Sequence, residues 1–97
     1  VRVKILKKAL LMGKVKISKQ CEESMIKRGY LRKDLISCIM SSHRVSTQVV
    51  NKRIQFIIFG NDIDTLPIMA VLECYRDNQF IVITVKPTIS QITQRVI

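Results

Sequence analysis

In the first half of the chain apolar positions recur every three or four residues, and in the second half they alternate. Residues 3–12 place Val3, Leu6 and Leu10 on one stripe, widened by Ile5 and Ala9, while Lys4, Lys7 and Lys8 point away. Gly13 is a natural stop for that helix. Val15 and Ile17 alternate with Lys14 and Lys16 as a short strand. Ser18 then offers an N-cap to a second helix, Glu22 and Glu23 sit near its positive end, and Gly29 closes it after Lys27 and Arg28. Leu31 precedes a third helix, Arg32–Ser41, on which Leu35, Ile36, Ile39 and Met40 repeat at helical spacing.

Strand-like alternation takes over at Val45–Val50, Lys52–Phe59, Leu66–Tyr75 and Phe80–Lys86. Gly60-Asn61-Asp62 and Arg76-Asp77-Asn78 supply turn chemistry between them, and Pro87 ends the last strand. The order predicts an α+β class, with N-terminal helices packed on one face of a small antiparallel sheet. One domain spans 1–97, with its core in 3–87 and a polar tail or short docking segment in 88–97. No internal repeat or low-complexity stretch interrupts it.

Period-two arithmetic assigns the faces. A tight turn at Asp77-Asn78 sets Tyr75 opposite Phe80, Glu73 opposite Val82, Val71 opposite Thr84 and Met69 opposite Lys86. Ile68, Ala70, Leu72, Cys74, Ile81, Ile83 and Val85 then form a wholly apolar face that packs on the helices. On Lys52–Phe59 the apolar set is Ile54, Phe56 and Ile58. Arg53, Gln55, Glu73, Tyr75, Thr84 and Lys86 gather on the other side.

Composition sharpens this picture. Ninety-seven residues, 47% of them hydrophobic, suffice for one modest aliphatic core and exclude a disordered chain. Seventeen Lys and Arg face seven Asp and Glu. Eleven of the seventeen lie before Asp34, against Glu22 and Glu23 alone. Such an excess binds polyanions by releasing their counterions, which makes nucleic acid the first partner to consider; a plain solvated surface is the bland alternative. The candidate RNA contacts are Lys14, Lys16, Lys19, Arg28, Arg32, Lys33, Arg44 and Lys52.

Cys21, Cys38 and Cys74 cannot all pair, and with one histidine in the chain a metal site lacks ligands, so neither metal nor other cofactor is expected. Reduced thiols fit a cytoplasmic protein. Ala9–Met12 is too short for a signal-peptide core, and no run approaches a membrane span. The absence of an initiator Met suggests a start that has lost residues.

Several local strings resemble known families. Residues 17–29, Ile-Ser-Lys-Gln-Cys-Glu-Glu-Ser-Met-Ile-Lys-Arg-Gly, resemble the signature of a bacterial domain family of unknown function that reads Ser-Lys-His-Ala, then Arg-Met, then Arg-Gly. Tyr30-Leu31-Arg32-Lys33-Asp34-Leu35, Phe59-Gly60-Asn61-Asp62 and Ile83-Thr84-Val85-Lys86-Pro87 resemble its later segments. The layout, including Gly13-Lys14-Val15-Lys16-Ile17 after a first helix, is similar to the motility quorum-sensing regulator toxins of the RelE-like group. Together the likeness covers residues 3–87. It implies a metal-independent endoribonuclease acting on mRNA, in association with ribosomes or free of them, and neutralised by a cognate antitoxin protein. Lys86 matches a C-terminal strand lysine implicated in catalysis in those toxins, and Gln55 matches a strand glutamine. The toxins' strand tyrosine finds only Pro67 or Ile68, and Gln20 stands where the uncharacterised family carries His.

Cleavage without metal makes the ribose 2′-hydroxyl the nucleophile, so the site must remove its proton, release the 5′-oxygen and stabilise the charge gained at phosphorus. Lys86 and Arg53 are the candidates for charge stabilisation, Gln55 for positioning phosphate, and Tyr75 for stacking on a base or donating a hydrogen bond. Glu73 or a lysine of lowered pKa is the candidate base. A lysine near its ordinary value of about 10.4 stays protonated at neutral pH. His43, beside Arg44 after a helix end, can cap carbonyls or do acid–base work. Two alternatives stay open: a non-catalytic RNA-binding or ribosome-associated module, and a domain whose basic surface contacts an acidic protein.

Overall fold

Gly13 and Gly29 both adopt left-handed backbone, with φ of +72° and +78°, and each ends a helix. The computed structural model describes residues 2–88. Helix α1 spans Val3–Leu11, strand β1 Val15–Ile17, helix α2 Lys19–Arg28 and helix α3 Arg32–Ser41. Strands β2 (Val45–Val50), β3 (Arg53–Asn61), β4 (Pro67–Arg76) and β5 (Gln79–Pro87) follow. Ser18 caps α2 as predicted, its Oγ accepting from the Cys21 amide at 3.1 Å. At the start of α3 the carboxylate of Asp34 accepts from the Leu31 amide at 2.8 Å, doing for that helix what no Ser or Thr does.

The strands form one sheet in the order β1-β5-β4-β3-β2. All neighbours are antiparallel except β1 and β5, which run parallel. The expectation of a purely antiparallel sheet is corrected here. Two helices stand between β1 and the other strands, and the chain returns to pair with β1 only at the end, so tight-turn reasoning between neighbours does not govern that pair. The fold is thus α+β, with three helices and a mostly antiparallel sheet among the described residues.

Helix α2 lies against β5, and α3 against β3 and β4. Leu6 and Ala9 of α1, Cys21 and Met25 of α2, and Leu35, Cys38 and Ile39 of α3 share one buried cluster with Phe56, Ile58, Ile68, Ala70, Leu72, Phe80, Val82 and Val85. Phe56 and Phe80 meet edge to face, with ring centres 6.2 Å apart. These strand residues define the core face, and alternation sends their neighbours to an outer face.

Three local expectations change. Gly60 and Asn61 belong to β3, and the chain turns at 62–66, where Asp62 accepts from the amides of Asp64 and Leu66 at 2.9 Å each. Gly60 is therefore a close-approach glycine. A Cβ there would overlap the Cys38 carbonyl and meet Ser41 Oγ at 2.7 Å. Lys52 lies in the β2–β3 turn with Asn51, both at positive φ, so β3 begins at Arg53.

The last hairpin keeps two predicted pairs, Val71 opposite Thr84 and Met69 opposite Lys86. Irregularities at Val71/Leu72 and Cys74/Arg76 then set Leu72 opposite Val82, Glu73 opposite Ile81 and Cys74 opposite Phe80. The proposed Glu73–Val82 and Tyr75–Phe80 pairs are overturned, because a bulge shifts register by one and exchanges faces. Phe80 and Val82 take the core places given to Ile81 and Ile83, while Cys74 is exposed. Ile54 keeps its side but is 58% exposed, because the core cluster stops at Phe56. The tail assigned to 88–97 lies outside the described residues apart from Thr88.

Candidate functional site

The outer face is organised in rows that cross the sheet. One row crosses all five strands: Gln48, Gln55, Glu73, Ile81 and Lys16 are successive register partners. Hydrogen bonds run along it. Gln48 Nε2 donates to Gln55 Oε1 at 2.8 Å, and Gln55 Nε2 donates to Glu73 Oε2 at 3.1 Å. Arg53, two residues before Gln55 and so on the same face, approaches the other Glu73 oxygen at 3.5 Å. Glu73 is mostly buried, its side chain 18% exposed, whereas the Arg53 side chain is 73% exposed. A largely desolvated carboxylate held by one amide and one guanidinium is thus the polar centre of this face.

Tyr75 stands beside that centre. Its hydroxyl and Gln79 Oε1 are 3.0 Å apart, and the Lys16 ammonium lies 4.4 Å from its ring centre. Lys16 is thereby drawn over the outer face from the edge strand. Thr84 shares a row with Val71 and Ile57, and Lys86 shares one with Met69 and Phe59. The side chain of Lys86 is exposed and alternates with buried Val85, which puts it on the outer face as the pattern predicted.

The candidate catalytic residues divide into three places. Arg53, Gln55 and Tyr75 gather around Glu73. Lys86 lies two strands across and four residues along from Gln55, on the order of 15 Å away. His43 is exposed beyond α3, where Ser42 Oγ already takes the Ile39 carbonyl at 2.7 Å, so the capping role expected of His43 belongs to Ser42. Gln48 escaped the sequence reading, although the alternation of Val45–Val50 was enough to place it on this face.

The candidate RNA contacts scatter as well. Arg28 Nη1 donates to the Val85 carbonyl at 2.8 Å, on the side of β5 that β1 is too short to cover, and so closes a strand edge. Arg32 pairs with Glu22 at 3.1 Å. Lys19, Lys33, Arg44 and Lys52 are exposed, and Lys14 is half-buried below the β4–β5 turn. Among the eight, Lys16 reaches the Glu73 row by register, and Lys52 flanks its Arg53 end.

Burial pushes the Cys38 thiol up to about 12, and it also raises Cys21, where Arg28 opposes and Glu22 adds to the effect. Burial makes both poorer nucleophiles than an ordinary cysteine. Among the described residues no group of three or more His, Cys, Asp or Glu is placed to hold a metal ion, and no helix is long and apolar enough to cross a membrane. Compared with protein-family models, with curated proteins and with solved structures, the chain matches none.

Proposed function

We propose that this protein binds RNA on the outer face of its sheet and cleaves it without metal, as a RelE-like endoribonuclease toxin of the cytoplasm. The observation that carries this is the Glu73 carboxylate, aligned by Gln55 and Arg53 on the face that also presents Lys16 and Lys86, in a chain of net charge +10. In this reading Glu73 takes the proton of the 2′-hydroxyl, the oxygen attacks the adjacent phosphorus, and the bond to the 5′-oxygen breaks, the departing oxygen taking up a proton from solvent water. Arg53 and Lys16 offset the charge that builds on the phosphate oxygens. The products are a 2′,3′-cyclic phosphate and a 5′-hydroxyl end. Lys86 contacts a phosphate further along the strand. A cognate antitoxin that neutralises such a protein would offer acidic groups to the same cations.

The separation of Lys86 from Gln55 favours a second reading, a module that binds RNA by the same face and leaves it intact. One experiment divides the two. Purified protein is mixed with single-stranded RNA in excess chelator, and the products are examined for 2′,3′-cyclic phosphate ends. Cyclic ends that vanish with Glu73→Gln support the nuclease; a salt-sensitive gel shift with uncut RNA supports the module. RNA that is not retained at low salt removes both.

A further inference from the structure

Strands β3 and β4 are paired from Asn61 and Pro67 as far as Gln55 and Glu73, and not beyond. Past that pair β4 is irregular between Cys74 and Arg76, while β3 runs on to the turn at Asn51 and Lys52. The two hairpin ends part, and a cleft of about 520 Å³ opens between them. That volume lies within the ordinary range of small-ligand sites, roughly 300–1,000 Å³.

The walls of the cleft have a definite chemistry. Ile54, Phe56 and Tyr75 supply apolar and aromatic surface, and Lys52 and Arg53 supply positive charge at one side. Glu73 also lines it and its charge is offset by Arg53, so Lys52 leaves the lining net positive. Lys16 lies over the Tyr75 ring and is not among the residues of the cleft wall. Apolar and aromatic walls beside a net positive lining complement one ligand shape well: a planar ring joined to an anion.

We infer that the cleft holds one unstacked nucleotide of single-stranded RNA, its base against Ile54, Phe56 and Tyr75 and its phosphate against Lys52 and Arg53. This rests on the reading that RNA is the partner, and it adds the substrate class. A base inside a duplex is stacked and paired and cannot enter, so the site selects unpaired strands. Insertion next to Glu73 also places the neighbouring ribose at the carboxylate.

Cys74 gives a direct readout. It lines the cleft and is exposed, whereas Cys21 and Cys38 are buried, so alkylation of the native full-length chain reports on this wall. The probe is a short 2′-O-methyl oligonucleotide, which lacks the nucleophile, offered single-stranded or as a duplex. A saturating single strand is expected to slow Cys74 alkylation about tenfold, the scale of one base–aromatic stack, while the duplex leaves it near the free rate. Tyr75→Ala is expected to weaken the single strand by a similar factor with the melting temperature and the duplex affinity unchanged. A single strand that binds by fluorescence anisotropy while Cys74 reacts at the free rate overturns the cleft and leaves RNA binding elsewhere intact. So does an equal loss of single-strand and duplex binding in Tyr75→Ala. If neither oligonucleotide binds at low salt, the RNA reading itself is lost, and the cleft with it.

Discussion

Gln55 and Glu73 face each other across β3 and β4, and the amide nitrogen of Gln55 donates to Glu73 Oε2 at 3.1 Å while its oxygen accepts from Gln48 at 2.8 Å. A carboxylate only accepts, so Glu73 fixes the direction in which both amides point. Glu73→Gln keeps shape and loses that polarity. It is expected to abolish cleavage, to leave RNA binding equal or tighter because one negative charge is gone, and to cost less than about 1 kcal/mol of stability, since Arg53 is largely solvated. Product analysis beside a thermal melt checks this; cleavage at the wild-type rate removes Glu73 as the base.

Salt dependence distinguishes the outer face from the helices as the RNA surface. Each phosphate contact to a single strand contributes about 0.7 to the slope of log affinity against log salt. Lys86→Ala is expected to flatten the slope by about that amount without changing the melt. Lys27→Ala, on exposed helix surface, is expected to leave it alone. Equal slopes for Lys86→Ala and wild type, with a flatter one for Lys27→Ala, would put RNA on the helices.

Much of this organisation was legible in the chain. Helix limits followed from Ser18, Gly13 and Gly29 because caps act within three or four residues, and the assignment of Lys86, Gln55 and Arg53 to one face followed from strict alternation. What failed is non-local. The parallel return of β5 to β1 leaves no mark in either segment. The bulges that exchange Ile81 for Val82 in the core shift the register of the last hairpin, and alternation has no way to count an extra residue. Gly60 carried a signal that was misread: a glycine followed by Asn and Asp looks like a turn, and only the approach of α3 gives its real reason. For the site, parity correctly put Lys86 and Gln55 on one face but said nothing about the distance between them along it.

The thiols are expected to separate cleanly. Under native conditions near pH 8 one of three, Cys74, reacts promptly with a disulfide reagent, and Cys21 and Cys38 react only in denaturant. Burial holds Cys38 protonated up to about 12, against 9.0 ordinarily. An unfolded chain therefore sheds this proton first as pH rises. The stabilisation is complete below pH 9 and is lost between 9 and about 12. The melting temperature should fall across that window, and Cys38→Val, which cannot ionise, should fall less steeply. Identical alkaline profiles would show that Cys38 does not contribute.

Gly60→Ala tests the contact between α3 and β3. The added methyl has no room against the Cys38 carbonyl, which is backbone and cannot rotate away. A loss of about 2 kcal/mol or more is expected, or ~10 °C in a domain of this size. A turn glycine at negative φ would tolerate alanine, so an unchanged melt would restore the turn assignment.

Asp34 ties the same helix to the β3–β4 connection from the other end. It is 5% exposed, and its two oxygens serve different segments: Oδ2 accepts from the Leu31 amide at 2.8 Å, and Oδ1 from the Ile63 amide at 3.1 Å. Asp34→Ala strands both donors, and each lost partner costs about 1–3 kcal/mol when the group stays buried. Asp34→Asn retains one acceptor oxygen and must give up one of the two bonds. The losses should therefore be graded, Ala more than Asn, as read by denaturant unfolding. Amide exchange at Ile63 gives a separate measure, because the α3 cap and the 62–66 turn should loosen together in Asp34→Ala and only one of them in Asp34→Asn. Equal stability of the two variants would mean that the second hydrogen bond is not used, and that the turn is held by Asp62 alone.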